Sequence, residues 1–406
     1  MIRRLVTLPV RARLWRPAHL GLIAADLFRG AAQPGADHHT HLRSAVEWLC
    51  LAQDVRHGQP DQGGVSAGWS FEDGWLPSYP ETSGYIVETL VQAATALDWP
   101  ALRVRAQHIL DWELSIQNRD GSFPGHFGEH GSSPVVFNTG QIMHGMVTGF
   151  EVFGRDDCLD AAVKAGEWLA RCQDEDGCWR RNVHNRCPHT YNTRAAWALA
   201  RTAVIAGDAA LRDAARRNME WALTQQSASG WFATNAFVPD RDPFTHTIAY
   251  AIRGLLEGGA LLAEERFVAA ALKAARALAA AQRPDGSLAG IFADGWRPTA
   301  AYCCLTGVAQ MCINWLRLRR LTGEEDLSEA ARCGIGYLKA TQRRHGRPEV
   351  VGAIAGSMPI WGGYSRFEYP NWAAKFFADA LLMDTGFDGV APAAESARQE
   401  AVEEVR

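Results

Sequence analysis

Six side chains have the types that acid, base or nucleophile chemistry on a sugar requires: Glu81, Glu368, Asp73, Asp242, His246 and Tyr250. Hydrolysis of a glycosidic bond takes one protonated carboxyl to release the leaving oxygen and one ionised carboxyl to activate water or attack the ring. Glu81 and Glu368 are the preferred pair, with Asp73 or Asp242 as substitutes. Elimination from a uronate takes a neutraliser for its carboxylate and a base for the α-proton; Asn192, His246, Tyr250 and Arg181 could supply these. Around them Trp75, Tyr79, His126, His130, Asn138, Arg181, His189, Tyr191, Asn192, Trp361 and Tyr364 are the candidate substrate-binding groups. Aromatic rings stack on the apolar faces of sugars, while amides, imidazoles and hydroxyls take paired hydrogen bonds. Plainer roles stand beside these: Glu81 as a charge at a helix N-terminus, Tyr250 as core packing.

Such scattered residues share a site only if the chain brings them together, and a repeat supplies the means. An aromatic or small residue is followed five positions later by glutamine at Trp48/Gln53, Trp112/Gln117, Trp168/Gln173, Trp221/Gln226, Ala277/Gln282 and Tyr337/Gln342. A turn follows each glutamine, most clearly Asp120-Gly121, Asp176-Gly177 and Asp285-Gly286, where glycine supplies the positive φ that ends a helix. New apolar segments then start at the predicted caps Thr82, Thr139, Thr193, Thr247, Thr306 and Asn371, spaced by 57, 54, 54, 59 and 65 positions. Charged outer helices are expected over 39–53, 101–117, 157–173, 209–226, 264–282 and 325–342, alternating with six nearly uncharged inner ones. Connections from glutamine to cap are long and those from inner to outer helix are short. This describes an all-α fold, an (α/α)6 toroid of six helical hairpins, with its working face on the long-loop side. Closure would make the first and sixth units neighbours, and they carry the two longest front loops. The residues just before the caps, Glu81, Asn138, Asn192, His246, Leu305 and Pro370, should point into the ring.

The repeat overrides the two or three domains that 406 residues would suggest. The expected organisation is an N-terminal arm over 1–37, the toroid over 38–385 and a charged C-terminal tail over 386–406. A formal charge of −4 without a basic stripe argues against nucleic acid. Nine cysteines without framework spacing fit free thiols in a reducing, cytoplasmic compartment. Arg3, Arg4, Arg11, Arg13 and Arg16 lie between short apolar pieces, so the arm either packs on the domain or touches a membrane face peripherally. No cofactor and no metal is called for. Cys172, Cys178, His184, Cys187 and His189 lack zinc-ligand spacing, and His38-His39-x-His41 reads as a polar helix start.

The unit running from Lys164-Ala165-Gly166-Glu167-Trp168-Leu169 through Gln173, Gly177 and Trp179 resembles the repeat of squalene and oxidosqualene cyclases, a superfamily that includes the β-subunit of protein prenyltransferases. The resemblance implies that the glutamine ties a helix end to the adjacent turn. An Asp-x-Asp-Asp acid motif is absent, and Asp174-Glu175-Asp176-Gly177 belongs to the structural turn. Asp176, Cys178 and His246 look like pieces of the prenyltransferase zinc site, but Cys178 is out of register. Segments 74–85 and 369–381 are similar to bacterial toroid proteins associated with polysaccharide biosynthesis. The expectation is therefore a glycosidase-type enzyme of bacterial polysaccharide metabolism, acting on an oligosaccharide or lipid-linked glycan. The alternatives are a polysaccharide (uronate) lyase, a terpenoid- or prenyl-handling toroid and a non-catalytic glycan-binding scaffold.

Overall fold

The computed structural model describes residues 9–27, 37–127 and 132–387. A short helix α1 (Pro17–Leu27) precedes twelve that alternate between two layers. The outer layer is α2 (His38–Asp54), α4 (Ala101–Ile116), α6 (Asp156–Cys172), α8 (Ala209–Thr224), α10 (Glu265–Ala280) and α12 (Glu325–Thr341). The inner layer is α3 (Pro80–Ala96), α5 (Val136–Phe153), α7 (Thr193–Ala206), α9 (Thr245–Leu262), α11 (Leu305–Thr322) and α13 (Asn371–Asp384).

The layers follow from residue patterning. In α6, Cys158, Ala161, Ala162, Ala165, Trp168, Leu169 and Cys172 recur every three or four residues and are buried, leaving the opposite face charged. Asp156 and Asp157 in its first turn and Arg171 in its last complement the helix dipole. By contrast α5 is buried on every side from Val136 to Gly149, as an apolar helix must be when neighbours surround it. Each inner helix packs on the next, and α13 packs on both α3 and α2, which closes the ring.

All six glutamines act alike. Each side-chain amide nitrogen donates to the carbonyl of a glycine in its own turn and to a carbonyl of the following outer helix, at 2.9–3.2 Å. For Gln342 that following helix is α2, through His41. The expected tether is therefore present in every repeat, and its last copy joins the end of the toroid to its start.

The predicted caps fail in detail. Four inner helices start one to three residues before their predicted cap, and none of the six has a side-chain cap bond. Thr82 and Thr247 sit inside the first turn, where their hydroxyls donate back to the carbonyls of Tyr79 and Phe244. Thr193 donates to Ala251 of the neighbouring helix, and Asn371 donates to Ser66 and Thr82. A short hydroxyl in the first turn reaches a carbonyl as readily as an amide, and here interhelical packing decides which.

The long loops do share one end. Strands β1 (Gly68–Ser70), β2 (Gly74–Trp75) and β7 (Glu368–Pro370) form an antiparallel sheet in the order β2-β1-β7, uniting the first and last front loops as expected from closure. The remaining strands, β3 (Phe292–Ala293), β4 (Arg297–Pro298), β5 (Cys303–Cys304) and β6 (Ser357–Met358), tie down other front loops, with β5–β6 joining neighbouring ones. The described part of the arm, 9–27, lies against this wall: His19 is buried with its ring 4.3 Å from Phe71, and Asp26 pairs with Arg343. Asp37 caps α2 by accepting from the Thr40 amide at 2.7 Å. The tail falls outside the described residues beyond 387. Among the described residues, no helix is long and apolar enough to cross a membrane.

Replacing Gln342 with alanine strips donors from the carbonyls of Gly352 and His41 at the closure. The expected cost is about 1–3 kcal/mol, read as a lowered thermal midpoint with unchanged helix content by circular dichroism. An unchanged midpoint would show that closure does not depend on this amide.

Candidate functional site

Because the inner helices run parallel, residues near their N-termini form a layer at the long-loop end, and residues one turn on form a second layer beneath. Glu81, Asn138, Asn192, His246, Leu305 and Pro370 are all buried. Glu81 accepts a 2.7 Å hydrogen bond from the Tyr79 hydroxyl, which in turn accepts from Asn138 Nδ2 at 3.3 Å. Burial raises the Glu81 carboxyl to about 7, against the opposing pull of the Tyr79 hydrogen bond and the Arg194 charge. At neutral pH it is therefore divided between acid and carboxylate, the condition of a group that both gives and accepts a proton.

On the other side of the axis, His246 Nδ1–H donates to Gln310 Oε1 at 2.9 Å, which leaves Nε2 with its lone pair. Burial lowers His246 to about 3, so the ring is neutral. Its ring lies 4.5 Å from Tyr250 and 5.1 Å from Tyr364. Phe137 joins this group to Tyr191, at 5.0 Å from Tyr250 and 5.1 Å from Tyr191. Burial raises the phenols of Tyr79, Tyr191, Tyr250 and Tyr364, keeping each a hydrogen-bond donor. Asn138 Oδ1, Asn192 Nδ2 and the Tyr191 hydroxyl are buried without a protein partner among the described residues, which leaves donors and an acceptor unsatisfied at the axis.

Beneath this layer is Arg194, which sequence reading passed over. Its Nε donates to Gln141 Oε1 at 2.7 Å, and its guanidinium lies over Tyr85, Trp197, Tyr250 and Phe376 at 5.1–6.0 Å. The signal was a lone arginine in the otherwise apolar start of α7, Thr193-Arg194-Ala195-Ala196. Gln310, one turn after Thr306, was missed in the same way.

The expected carboxylate pair is not assembled. Glu368 lies on β7 beside Tyr369, and alternate strand residues face opposite ways. Tyr369 is fully buried and bonded to Arg343, whereas the charges bearing on Glu368 are those of Asp73 and Glu72, which together with burial raise its carboxyl. Glu81 instead accepts from the Tyr79 hydroxyl and feels the charge of Arg194, so the two carboxyls face different surroundings. Asp73 is exposed at the β1–β2 turn, and Asp242 accepts from Thr299 at 3.1 Å in a surface loop. Neither replaces Glu368.

The predicted binding residues divide. Tyr79, Asn138, Tyr191, Asn192 and Tyr364 belong to the axial group. His189 supports it from behind, stacked on Tyr191 at 4.5 Å, with Nδ1 3.0 Å from the Ala236 carbonyl and Nε2 2.7 Å from the His184 carbonyl; burial keeps the ring neutral, so its single N–H donates to one of the two. Trp75 packs on Trp48 of the outer layer, Arg181 is exposed beside Asp174, and Trp361 is part-buried in the last front loop. His126 is exposed, 6.0 Å from the ring of His184, and His130 lies outside the described residues.

The squalene-hopene cyclase C-terminal domain profile matches residues 77–255. A comparison with curated protein sequences finds no match. Among solved structures, the unsaturated glucuronyl hydrolase of Bacillus sp. GL1 superposes with a TM-score of 0.66 at 15% identity, over 86% of this chain and 98% of its own. A Streptococcus agalactiae unsaturated glucuronyl hydrolase variant, complexed with dGlcA-GalNAc6S, gives 0.68 at 12% identity, over 90% and 96%. Cellobiose 2-epimerase from Bacillus thermoamylovorans gives 0.67 at 12% identity, over 84% and 98%. The chain is thus an α/α toroid with the squalene-cyclase type of repeat, and its fold is shared with glucuronyl hydrolases and a cellobiose epimerase.

Proposed function

We propose that the protein is a carbohydrate-active enzyme of the glycosidase type, with Glu81 as its proton donor. The observation that carries this is a single carboxyl, buried on the toroid axis and raised to about 7, among tyrosines, amides and a neutral imidazole. In the protonated state Glu81 gives its proton to the glycosidic oxygen, and the bond to the anomeric carbon breaks. Water then adds to that carbon and returns a proton to the Glu81 carboxylate, so the acid is regenerated. The toroids of similar fold include proteins whose names state hydrolysis of unsaturated glucuronyl groups, which supports a glycan substrate. Elimination is less well supported, since Tyr250 is held protonated and His246 is too weak a base to take an α-proton readily.

The finer reading is a lipid-linked glycan in bacterial polysaccharide metabolism, met at the cytoplasmic face of a membrane. Nine free cysteines support a reducing compartment. Trp15 and Leu27 are each 61% exposed and Leu20 is 50% exposed, beside Arg13 and Arg16, which supports contact between the arm and an anionic lipid surface.

Three outcomes follow from these assignments. Glu81→Gln should lower turnover on an oligosaccharide panel by roughly 10²–10⁴-fold, with wild-type kcat/KM falling as pH rises above about 7; unchanged turnover in the variant removes Glu81 from catalysis. The same substitution tests the burial. The folded carboxyl is raised from 4.5 to about 7, so its contribution is favourable below 4.5 and is lost as pH rises through 7, by about 3 kcal/mol. Glu81→Gln should therefore gain stability over wild type progressively between those pH values in denaturant titrations, and a pH-independent difference would refute the raised carboxyl. Finally, the full chain should cosediment with vesicles containing phosphatidylglycerol but not with pure phosphatidylcholine, and Trp15→Glu with Leu20→Glu should abolish this. Equal recovery from both vesicle types, or none, counts against the arm as a lipid contact.

A further inference from the structure

Below Arg194 the axis holds a small cavity, with about 40 Å³ available to the centres of water molecules. That is room for about three waters, the size of one phosphate or carboxylate group. Three cations line it, Arg194, Arg253 and Lys375, against two carboxylates, Glu88 and Asp379. Each carboxylate already has its own cation: Glu88 accepts from Arg201 at 3.0 Å, and Asp379 pairs with Lys375. Arg253 shares Glu257 with Arg317.

Arg194 has no such partner. Among the described residues no carboxylate lies within ion-pair distance of it, and its one side-chain hydrogen bond goes to the neutral amide of Gln141. Two further groups at the cavity are unsatisfied: Arg253 Nη1 and Asn314 Oδ1 are buried without a protein partner among the described residues. A charged donor, a second donor and an acceptor around a space of this size match an oxyanion that carries a neighbouring hydroxyl.

The way in is set by depth. Glu88, Arg253 and Asp379 each occupy the ninth position of their inner helix, about 12 Å along the axis from its start. All three are part-exposed, whereas Glu81, Asn192 and His246 above them are buried. The cavity therefore opens toward the end with the short connections, opposite the long loops.

We propose that this cavity is a second ligand site, entered from the short-connection end, which binds a small oxyanion group through Arg194 and Arg253. It is separate from the proton donor on the opposite side of Arg194 and does not depend on the reaction assigned there.

The test is calorimetric titration of the full chain at constant ionic strength with inorganic phosphate, glucuronate and neutral methyl glucoside. Phosphate or glucuronate should bind and methyl glucoside should not. Affinity should fall at least tenfold in Arg194→Gln and several-fold in Arg253→Gln, and should persist in Glu81→Gln. Tighter binding of phosphate assigns the site to a phosphoryl group, and tighter binding of glucuronate to a sugar acid. Absence of binding by both anions, or equal affinity in wild type and Arg194→Gln, overturns the site. Should Arg194→Gln fail to fold by circular dichroism, Arg253→Gln decides: undiminished affinity there overturns the proposal. Retained anion affinity in Glu81→Gln, whatever its turnover, keeps this result distinct from the catalytic reading.

Discussion

The two-carbonyl tether made by each repeat glutamine is the constraint on which the molecule depends. One amide nitrogen holds both the turn that ends its own outer helix and the flank of the next one, so it fixes the spacing and the rotation between hairpins. The turn must come very close for this to work. A Cβ on Gly121, Gly177, Gly286 or Gly352 would lie 2.1–2.3 Å from a carbonyl oxygen of the adjoining outer helix. All four have positive φ, so glycine is required for conformation and for contact together. Repeating one such joint six times turns the chain through a full circle, and the last joint lands on α2.

Closure places a polar axis inside an apolar double wall. Burying charges is costly unless they are paired, and the lower axis pairs nearly all of them: Arg201 bridges Glu88 and Glu151, while Glu257 holds Arg253 and Arg317. Two groups depart from this economy. Glu81 has only a phenol and an arginine that makes no ion pair with it, so desolvation outweighs both and lifts its carboxyl to about 7. Arg194 stands between four aromatic faces instead of beside an anion. Natural proteins tolerate such departures from good pairing chiefly where a ligand completes the site.

The stacked layers also separate two ends with different properties. Long front loops cross-brace one another through short strands and bury the upper layer. The short connections leave the ninth-position charges within reach of solvent. The two ends of the axis thus differ in burial and in charge, and Arg194 lies between them.

Much of this was legible in the residues. The glutamine period and the turn glycines dictated the six hairpins and the outer helices to within two residues, because those signals are local: an amide at a fixed step from an aromatic, and a glycine where φ must be positive. Position just before the inner-helix threonines also picked out Glu81, Asn138, Asn192 and His246, since the direction of a side chain near a helix start follows from its place in the turn. Tertiary structure alone decided the rest. Thr193 turned out to serve a carbonyl of the neighbouring helix, the alternation of β7 sent Glu368 toward Asp73, and Arg194 became an axial residue because the ring closed around it. Each of these depends on which surfaces meet across distant parts of the chain, and no local spacing encodes that.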